Sequence, residues 1–558
     1  MDLRRLRPRL AAPLAGGCYL GSVKPQGWNL GKVRVGFGRC GRGFRAGRAG
    51  FVLAAIWGSL NFFRYDAGVP VNSHHADYDA ALSEWQRARD VVGGEDLVKA
   101  AGDKYIPRLD SQTEEDFAAY VRRANFYNAT GRTVEGYVGL MFRRAPIVWE
   151  FGPGAAHSAG VAAFLDDVDL LGTSMESYVR SLAWEILTVG RGGTLVDWED
   201  TGEQRAFVGF YAAEQIINWR TRRVEGRSVL TMVALREKVE DGGDEFCPRM
   251  VEQIRVLRLV TEPAAGGAAG QRSCVVELWR AEGKERKNWV KVSEAMPLRR
   301  GKPLPLIPFV FHGARHSRPD VGAAPLGDLI TINLDHYRLD ADYKHGLHFT
   351  ALPTAWVSGF ERGSVPRIGS TSVWVSEQPG ATAGYLEFVG AGLSTFENAM
   401  DRDERMLSML GTRLLESERK VAETATAIEL RQSGEKSVLG VIANVLSESM
   451  TQVLRWVIWW DSAEEFPEDI LRGEALYHID TEFGQNRLQS QELQAIVQAW
   501  QAGAMSRDTM FELFRHGEIL PTGRTNEEEL ALVTRDAAQK ALAEKAAAEA
   551  AGGGAVVK

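Results

Sequence analysis

The side chains best suited to chemistry cluster in LDHYRLDADYKHGLH, residues 334–348. On a helix His336 and Asp340 share a face, four residues apart, as a pair of metal ligands would. His345 and His348 share a second face, rotated away from the first. No HExxH pattern supports a metalloprotease-type centre. Polarity of a helix surface, or contacts between subunits, explains the four residues as well.

A second group of acids, Glu237, Glu240, Asp241, Asp244 and Glu245, sits in or beside an expected hairpin turn. Two carboxylates at suitable spacing can share acid–base work, but a solvated turn accounts for the same residues more simply. Gly190-Arg191-Gly192-Gly193 has the glycine content of a phosphate loop. It follows a helix and precedes a strand, the reverse of the phosphate-binding order, and no GKS or GKT follows. A helix C-cap and turn is the expectation there. No GxSxG, HRD or CxxC occurs. The ten histidines are scattered, and nothing marks a Ser-His-Asp site, although triad members need not be close in sequence.

The elements that must position these residues are legible from periodicity. Tyr78, Leu82, Trp85 and Val92 recur at helical spacing before Gly93-Gly94. Thr113 with Asp116 resembles a capping box that opens a helix bearing Phe117, Tyr120, Val121 and Ala124. A further helix spans Thr133 to Met141, and Met175, Val179, Leu182, Ile186 and Val189 mark another. From Phe207 to Phe311 the period falls towards two, predicting a mostly antiparallel sheet. Helix returns from Pro325 to His348, with Leu329, Asn333, His336, Asp340 and Tyr343 or Lys344 along one side. SVWVSEQPGATAGYLEFVG reads as two short strands about a Pro-Gly turn. A helix with Met406, Leu410 and Leu414 on one face follows. Val438, Ile442, Val445 and Met450 open a core-directed helix that leads to the Trp456–Trp460 cluster. Another helical section runs from Glu492 to Phe514, and the Ala/Glu/Lys-rich end favours helix up to Ala551.

The chain has 558 residues, 45% hydrophobic and 25% charged, enough for several cores in a soluble globular class. Its net charge of −7 is uneven. Residues 1–50 carry eleven basic residues against Asp2, so the rest carries −17. This Gly/Arg-rich stretch is expected to be a disordered leader, or translated sequence upstream of the true start. An acidic body argues against broad affinity for free DNA. Cys18, Cys40, Cys247 and Cys274 have neither zinc-knuckle nor redox-pair spacing, which suits a reducing compartment. No apolar stretch of eighteen residues is present, so no membrane span is expected.

Several segments, in order, resemble the phage portal proteins, and within them a family of uncharacterised portal-like proteins of siphoviruses and related prophages. They are YIPRLDSQTEEDFAAYVRRANFYNATGRTVEGYVGLMFRRAP, VGRGGTLVDW, AAEQIINWR, PFVFHGA, PLGDLITINLDHYRLDADYKHGLHFTALPTAWVSGF, YLEFVG, MLGTRLL, ETATA and QAWQAGAMSRDTMFELFRHGEIL. The resemblance spans about residues 63–530. It implies an α+β portal-type subunit. Residues 1–62 would be the leader. Residues 63–323 would form a wing, helical and then strand-rich. Residues 324–350 would be a first stem helix, 351–394 a clip, and 395–432 a second stem helix and its approach to a tunnel element. Residues 433–520 would form wing and crown helices, and 521–558 a tail.

The resemblance further implies a homo-oligomeric ring, a dodecamer in the virion, at the capsid portal vertex, assembled in host cytoplasm. Double-stranded DNA would pass through it in packaging and ejection. The large terminase, head-completion or connector proteins, and major capsid and scaffold proteins would be its partners. No catalytic residue, cofactor, metal or membrane is implied. Under this reading Arg413, Arg419, Lys420, Arg431 and Lys436 are candidate channel contacts. Ser433-Gly434, inside ETATAIELRQSGEKSVLGVIANVLSE, is a candidate bend near the lumen. Another head-connector structural protein is the alternative. A metal-dependent nucleic-acid-processing enzyme using His336 and Asp340 is a further one.

Overall fold

A computed structural model describes residues 70–552, except 109, 151–156, 201, 203, 225, 262–271, 283–287, 352–353, 361–372, 387–389, 391, 414–436, 462–474, 482, 484–489, 518 and 522–523. The basic stretch 1–62 and the 414–436 segment lie outside the described residues.

Helices open the described chain. α1 (Ala76–Gly93) is capped by His75, whose ring nitrogen accepts from the Asp77 N–H, and it buries Tyr78, Trp85, Ala88 and Val92 along one stripe. α2 (Glu95–Ala100) follows, then α3 (Glu114–Arg123), where Thr113 accepts the Asp116 N–H as its sequence predicts. α4 (Ala129–Met141) is capped by Asn128. β1 (Ile147–Trp149), α5 (Ala159–Asp166) and α6 (Met175–Val189) complete this part. α6 ends at Gly190 in the left-handed region, φ 78°, a conformation that glycine adopts without strain.

Two antiparallel sheets follow. β2 (Arg191–Trp198), β3 (Ala206–Ala212) and β11 (Phe309–Gly313) form a three-stranded sheet with β2 in the centre. Gly193 has to be glycine, because a Cβ there would collide with the Phe309 ring. β4 (Ile216–Val224), β5 (Arg227–Asp244), β6 (Cys247–Thr261), β7 (Arg272–Glu282) and β8 (Asn288–Ala295) form a five-stranded meander. Val233, Leu235, Ile254 and Leu257 bury its root in the core, while Phe246 at the β5–β6 turn is 91% exposed. β9 (Leu298–Arg299) and β10 (Lys302–Pro303) make a small hairpin.

Two long helices flank the next hairpin. α7 (Gly327–Ala351) and α8 (Leu393–Arg413) pack together and enclose β12 (Thr354–Ser358) paired with β13 (Thr382–Leu386). Burial along α7 is graded. Leu329, Ile330, Asn333, Leu334, Tyr337 and Ala341 are buried, whereas Leu347 and Phe349 near the other end are exposed. α9 (Val438–Asp461) returns to the core and buries Leu439, Ile442, Leu446, Met450 and Val453. Trp456, Trp459 and Trp460 continue its buried face, and Trp460 stacks on Trp198 of β2 at 5.8 Å. β14 (Leu476–His478) pairs with β1. α10 (Ser490–Gln501), α11 (Arg507–His516) and α12 (Asn526–Gly552) end the described chain. Helices and sheets share one principal core, so the class is α+β.

Two expectations need correction. The strand Thr382–Leu386 pairs with Thr354–Ser358, not with Val373–Ser376, which forms no strand. Alternation in SVWVS gives a strand-like pattern, but a ladder also needs a partner in register. Here Ser376 spends its hydroxyl on the Gly359 carbonyl at 3.1 Å instead. The helical section Glu492–Phe514 is two helices. Gly503 turns the chain at φ 73°, and Ser506 caps α11 by accepting the Thr509 N–H.

Candidate functional site

The α7–α8 pair is held to the helical body by polar contacts at fixed positions. Asn333 is wholly buried, and its Oδ1 accepts from both the N–H and the hydroxyl of Thr130, at 3.0 and 2.8 Å. Its Nδ2 donates to the Tyr127 carbonyl at 2.8 Å. One turn further on, Arg338 donates to the Tyr105 carbonyl at 2.8 Å. Asp340 accepts the Asn125 N–H at 2.6 Å, and Asp342 accepts the Tyr120 hydroxyl. Burial, reinforced by Asp342, raises the Tyr120 phenol well above its usual range. Between the two long helices, Tyr343 donates to Glu397 at 2.6 Å. The Tyr137 hydroxyl of α4 donates to the Gly411 carbonyl of α8.

These contacts give the four candidate ligands separate neighbours. His336 faces α8, with Nε2 3.5 Å from Glu404. Asp340 is committed to Asn125 and lies 3.7 Å from Lys344. His345 packs edge-on against Tyr120, and burial together with the nearby Arg123 guanidinium lowers its pKa. His348 lies against Phe349. Among the described residues no three His, Cys, Asp or Glu side chains converge in a metal-holding group.

The acids of the β5–β6 hairpin are likewise dispersed. Glu237 lies back from the turn in the ladder, where it pairs with Arg255 at 2.6 Å and accepts from Tyr211 and Gln253. Asp241 pairs with Arg280, and Asp244 accepts the Phe246 N–H in the turn. The glycines after α6 serve the cap and the close-packed β2. Arg191 between them is buried over the Trp219 ring at 3.8 Å, and burial lowers its pKa to about 9.

Sequence reasoning missed a Ser–His contact. His312 Nδ1 lies 2.8 Å from the Ser449 hydroxyl and Nε2 2.7 Å from the Thr194 hydroxyl. The third member is therefore a threonine, not a carboxylate. One neutral imidazole satisfies the whole chain of bonds. Tyr178 donates to Thr194, Thr194 to Nε2, Nδ1–H to Ser449, and Ser449 to the Leu446 carbonyl at 3.0 Å. The serine proton thus points to a carbonyl rather than to a base. Burial pushes the His312 pKa down to about 3, so this group knits β2, β11 and α9 together and activates no nucleophile.

The hairpin expected between the two long helices carries exposed apolar side chains. Trp356 and Tyr385 are about half exposed, and Val373 and Val375 are 85% and 77% exposed. The Trp374 and Tyr385 rings lie 5.8 Å apart. Together they leave an apolar patch open to solvent. The SVWVS alternation was the available signal for it. Of the candidate channel residues, Arg413 is the last residue of α8. Arg419, Lys420, Arg431, Lys436, Ser433 and Gly434 lie outside the described residues. A cleft of about 410 Å³ also opens at the root of α7, between α7, α1 and Tyr105. No helix among the described residues is long and apolar enough to cross a membrane.

A family described as Domain of unknown function (DUF4055) matches residues 325–461, less than half of the chain. The matched span begins two residues before α7 and ends on the last residue of α9. Among curated proteins none matches. Similar solved structures include chains from the neck of an empty GTA particle computed with C6 symmetry, at 14% identity and a TM-score of 0.35, covering 77% of this chain and 100% of that one. A chain of the virion of a native gene transfer agent particle is 13% identical, with a TM-score of 0.34, and the match covers 77% and 99%. A chain from the neck of the native particle computed with C12 symmetry is 12% identical, with a TM-score of 0.33, and the match covers 75% and 97%. Likeness at this level fixes neither fold nor function.

Proposed function

We propose that this chain is a portal subunit, a structural protein of a phage-type head that assembles into a ring for passage of double-stranded DNA. The observation that carries the reading is the unit α7–hairpin–α8. α7 runs from a buried root to an exposed end, α8 packs along it, and a small strand pair joins the two helices there. Residues 324–350 and 395–432 are then the stem, 351–394 the clip, and 63–323 with 433–520 the wing and crown. The exposed aromatic and apolar side chains of 351–394 suit contact with neighbouring copies, the large terminase and connector proteins. Cyclic assembly needs two different faces that meet head to tail. The acidic body suits a conduit, because tight binding of phosphates would stall DNA. Chemistry then belongs to the partner motor, and this subunit needs no cofactor. A dodecamer at a capsid vertex, with capsid and scaffold proteins around it, is the expected assembly.

Negative-stain imaging and native mass spectrometry of the full-length protein test the reading. Rings with a central opening are expected at high concentration or with scaffold protein. A chain that stays monomeric under all of these conditions overturns it. Rings of a connector type that bind a separate portal would favour the head-connector alternative.

A further inference from the structure

We infer that the tip of the β5–β6 ribbon docks on the arginine-bearing β4–β5 end of a second copy of this chain; this rests on the ring-forming reading. The five-stranded sheet is staggered. β4 reaches only to Leu235 of β5, and β7 only to Gln253 of β6. Among the described residues, β5 and β6 therefore run on alone past the Glu237–Gln253 pair, as a two-stranded ribbon. Every residue from Glu240 to Met250 is exposed, and Phe246 at the turn is 91% exposed. The tip carries Glu240, Asp241, Asp244 and Glu245 against Arg249, and Asp241 also pairs with Arg280 at 2.7 Å. Four acids against two bases leave it a net −2. The opposite end of the same sheet has the reverse sign. Arg220, Arg222, Arg223 and Arg227 are exposed there. Glu225 is the one acid in residues 220–228, which leaves that end a net +3.

Neither end can answer the other within one copy. Strand β5 joins them, and its 18 residues at about 3.3 Å each hold them roughly 55 Å apart. A second copy brings the two together, because in a cyclic assembly a surface on one copy meets a different surface on the next. Opposite charge also sets which end meets which. Tip against tip, and arginine end against arginine end, would both place like charges face to face. Guanidinium groups are a common receptor for what the tip offers. They take carboxylates through paired N–H donors, and they stack on an aromatic face. Phe246 has little packing of its own to lose, so covering its ring adds buried area without disturbing the fold. Docking would also support a ribbon that has no flanking strand.

The test uses the full chain and reads the ring fraction by sedimentation velocity. Two charge reversals are made separately: Glu240→Arg with Glu245→Arg at the tip, and Arg220→Glu with Arg223→Glu at the other end. Each is expected to lower the ring fraction at least about fivefold, because like charges then meet across the contact, with far-ultraviolet circular dichroism unchanged. Mixing the two variants, or joining all the substitutions in one chain, is expected to restore rings, because every tip then has an oppositely charged end to meet. Rings formed normally by both reversals overturn this inference alone. So does a loss that neither mixing nor the joined chain restores. A tip reversal that assembles normally, beside an arginine reversal whose rings no longer bind double-stranded DNA, would assign the arginines to nucleic acid and also overturn it. A wild-type chain that never assembles overturns the ring reading, and this inference falls with it.

Discussion

Replacing Asn333 with leucine tests whether one buried amide fixes the long helix pair to the body. Asn333 and Thr130 are both fully buried. The substitution removes three hydrogen bonds at once and strands the Thr130 N–H, the Thr130 hydroxyl and the Tyr127 carbonyl. The Thr130 N–H lies in the first turn of α4, where no carbonyl of its own helix is available. Each stranded group costs about 1–3 kcal/mol. Leucine offsets about 1.5–3 kcal/mol of that by apolar burial. The centre of these ranges is a net loss of about 4 kcal/mol. Urea unfolding of the monomer reads this as a lower midpoint at unchanged slope. Adding Thr130→Val removes the stranded hydroxyl, so the double variant should recover about 1–2 kcal/mol relative to Asn333→Leu. A single-variant loss below about 1 kcal/mol, or no recovery in the double variant, would refute the idea that this amide is the fastening point.

Three other outcomes are expected. His312 stays neutral in the native state until about pH 3, whereas the unfolded chain takes up its proton near 6.5. The unfolded state therefore binds more protons between these values, and stability falls as the pH drops through that window, by about 1.4 kcal/mol per unit. Between pH 6.5 and 5 the wild type should lose about 2 kcal/mol more than His312→Gln, read by urea unfolding at both pH values; equal losses would remove the histidine as the cause. Gly193→Ala should cost about 1–3 kcal/mol, because the new methyl meets the Phe309 ring and Ile216, and a lowered thermal midpoint checks it. Val373→Ser should leave monomer stability within about 0.5 kcal/mol, because the side chain is 85% exposed, while reducing the ring fraction in native mass spectrometry.

What could be read in advance was local. Of the α9 stripe, Ile442, Val445 and Met450 face the core as their spacing announces, while Val438 at the helix start is exposed. The Thr113 cap and the left-handed Gly190 are also decided within a few residues. Pairing is decided elsewhere. Ile147 meets His478 and Thr354 meets Leu386 through backbone bonds that no local pattern encodes. The same holds for the Arg89 fork, which grips Glu185 of α6 and Glu214 together. His312 illustrates the limit for chemistry. Its identity as a histidine suggested nothing, and its meaning comes from a serine, a threonine and a tyrosine brought from three other places in the chain.

This difference explains why the apparent chemistry of α7 dissolves while its mechanics become clearer. His336, Asp340 and His345 looked like ligands because helical spacing aligns side chains along one element. Metal binding also needs donors to converge from several directions, and α7 sends its polar groups outward to different neighbours instead. Asn333 reaches α4, Asp340 the segment after α3, Asp342 α3 itself, and Tyr343 α8. Asn333 fastens the root of α7, and Asp340, Asp342 and Tyr343 fasten a single turn further along it. A helix whose polar groups are committed to separate neighbours in this way turns none of them to a common point.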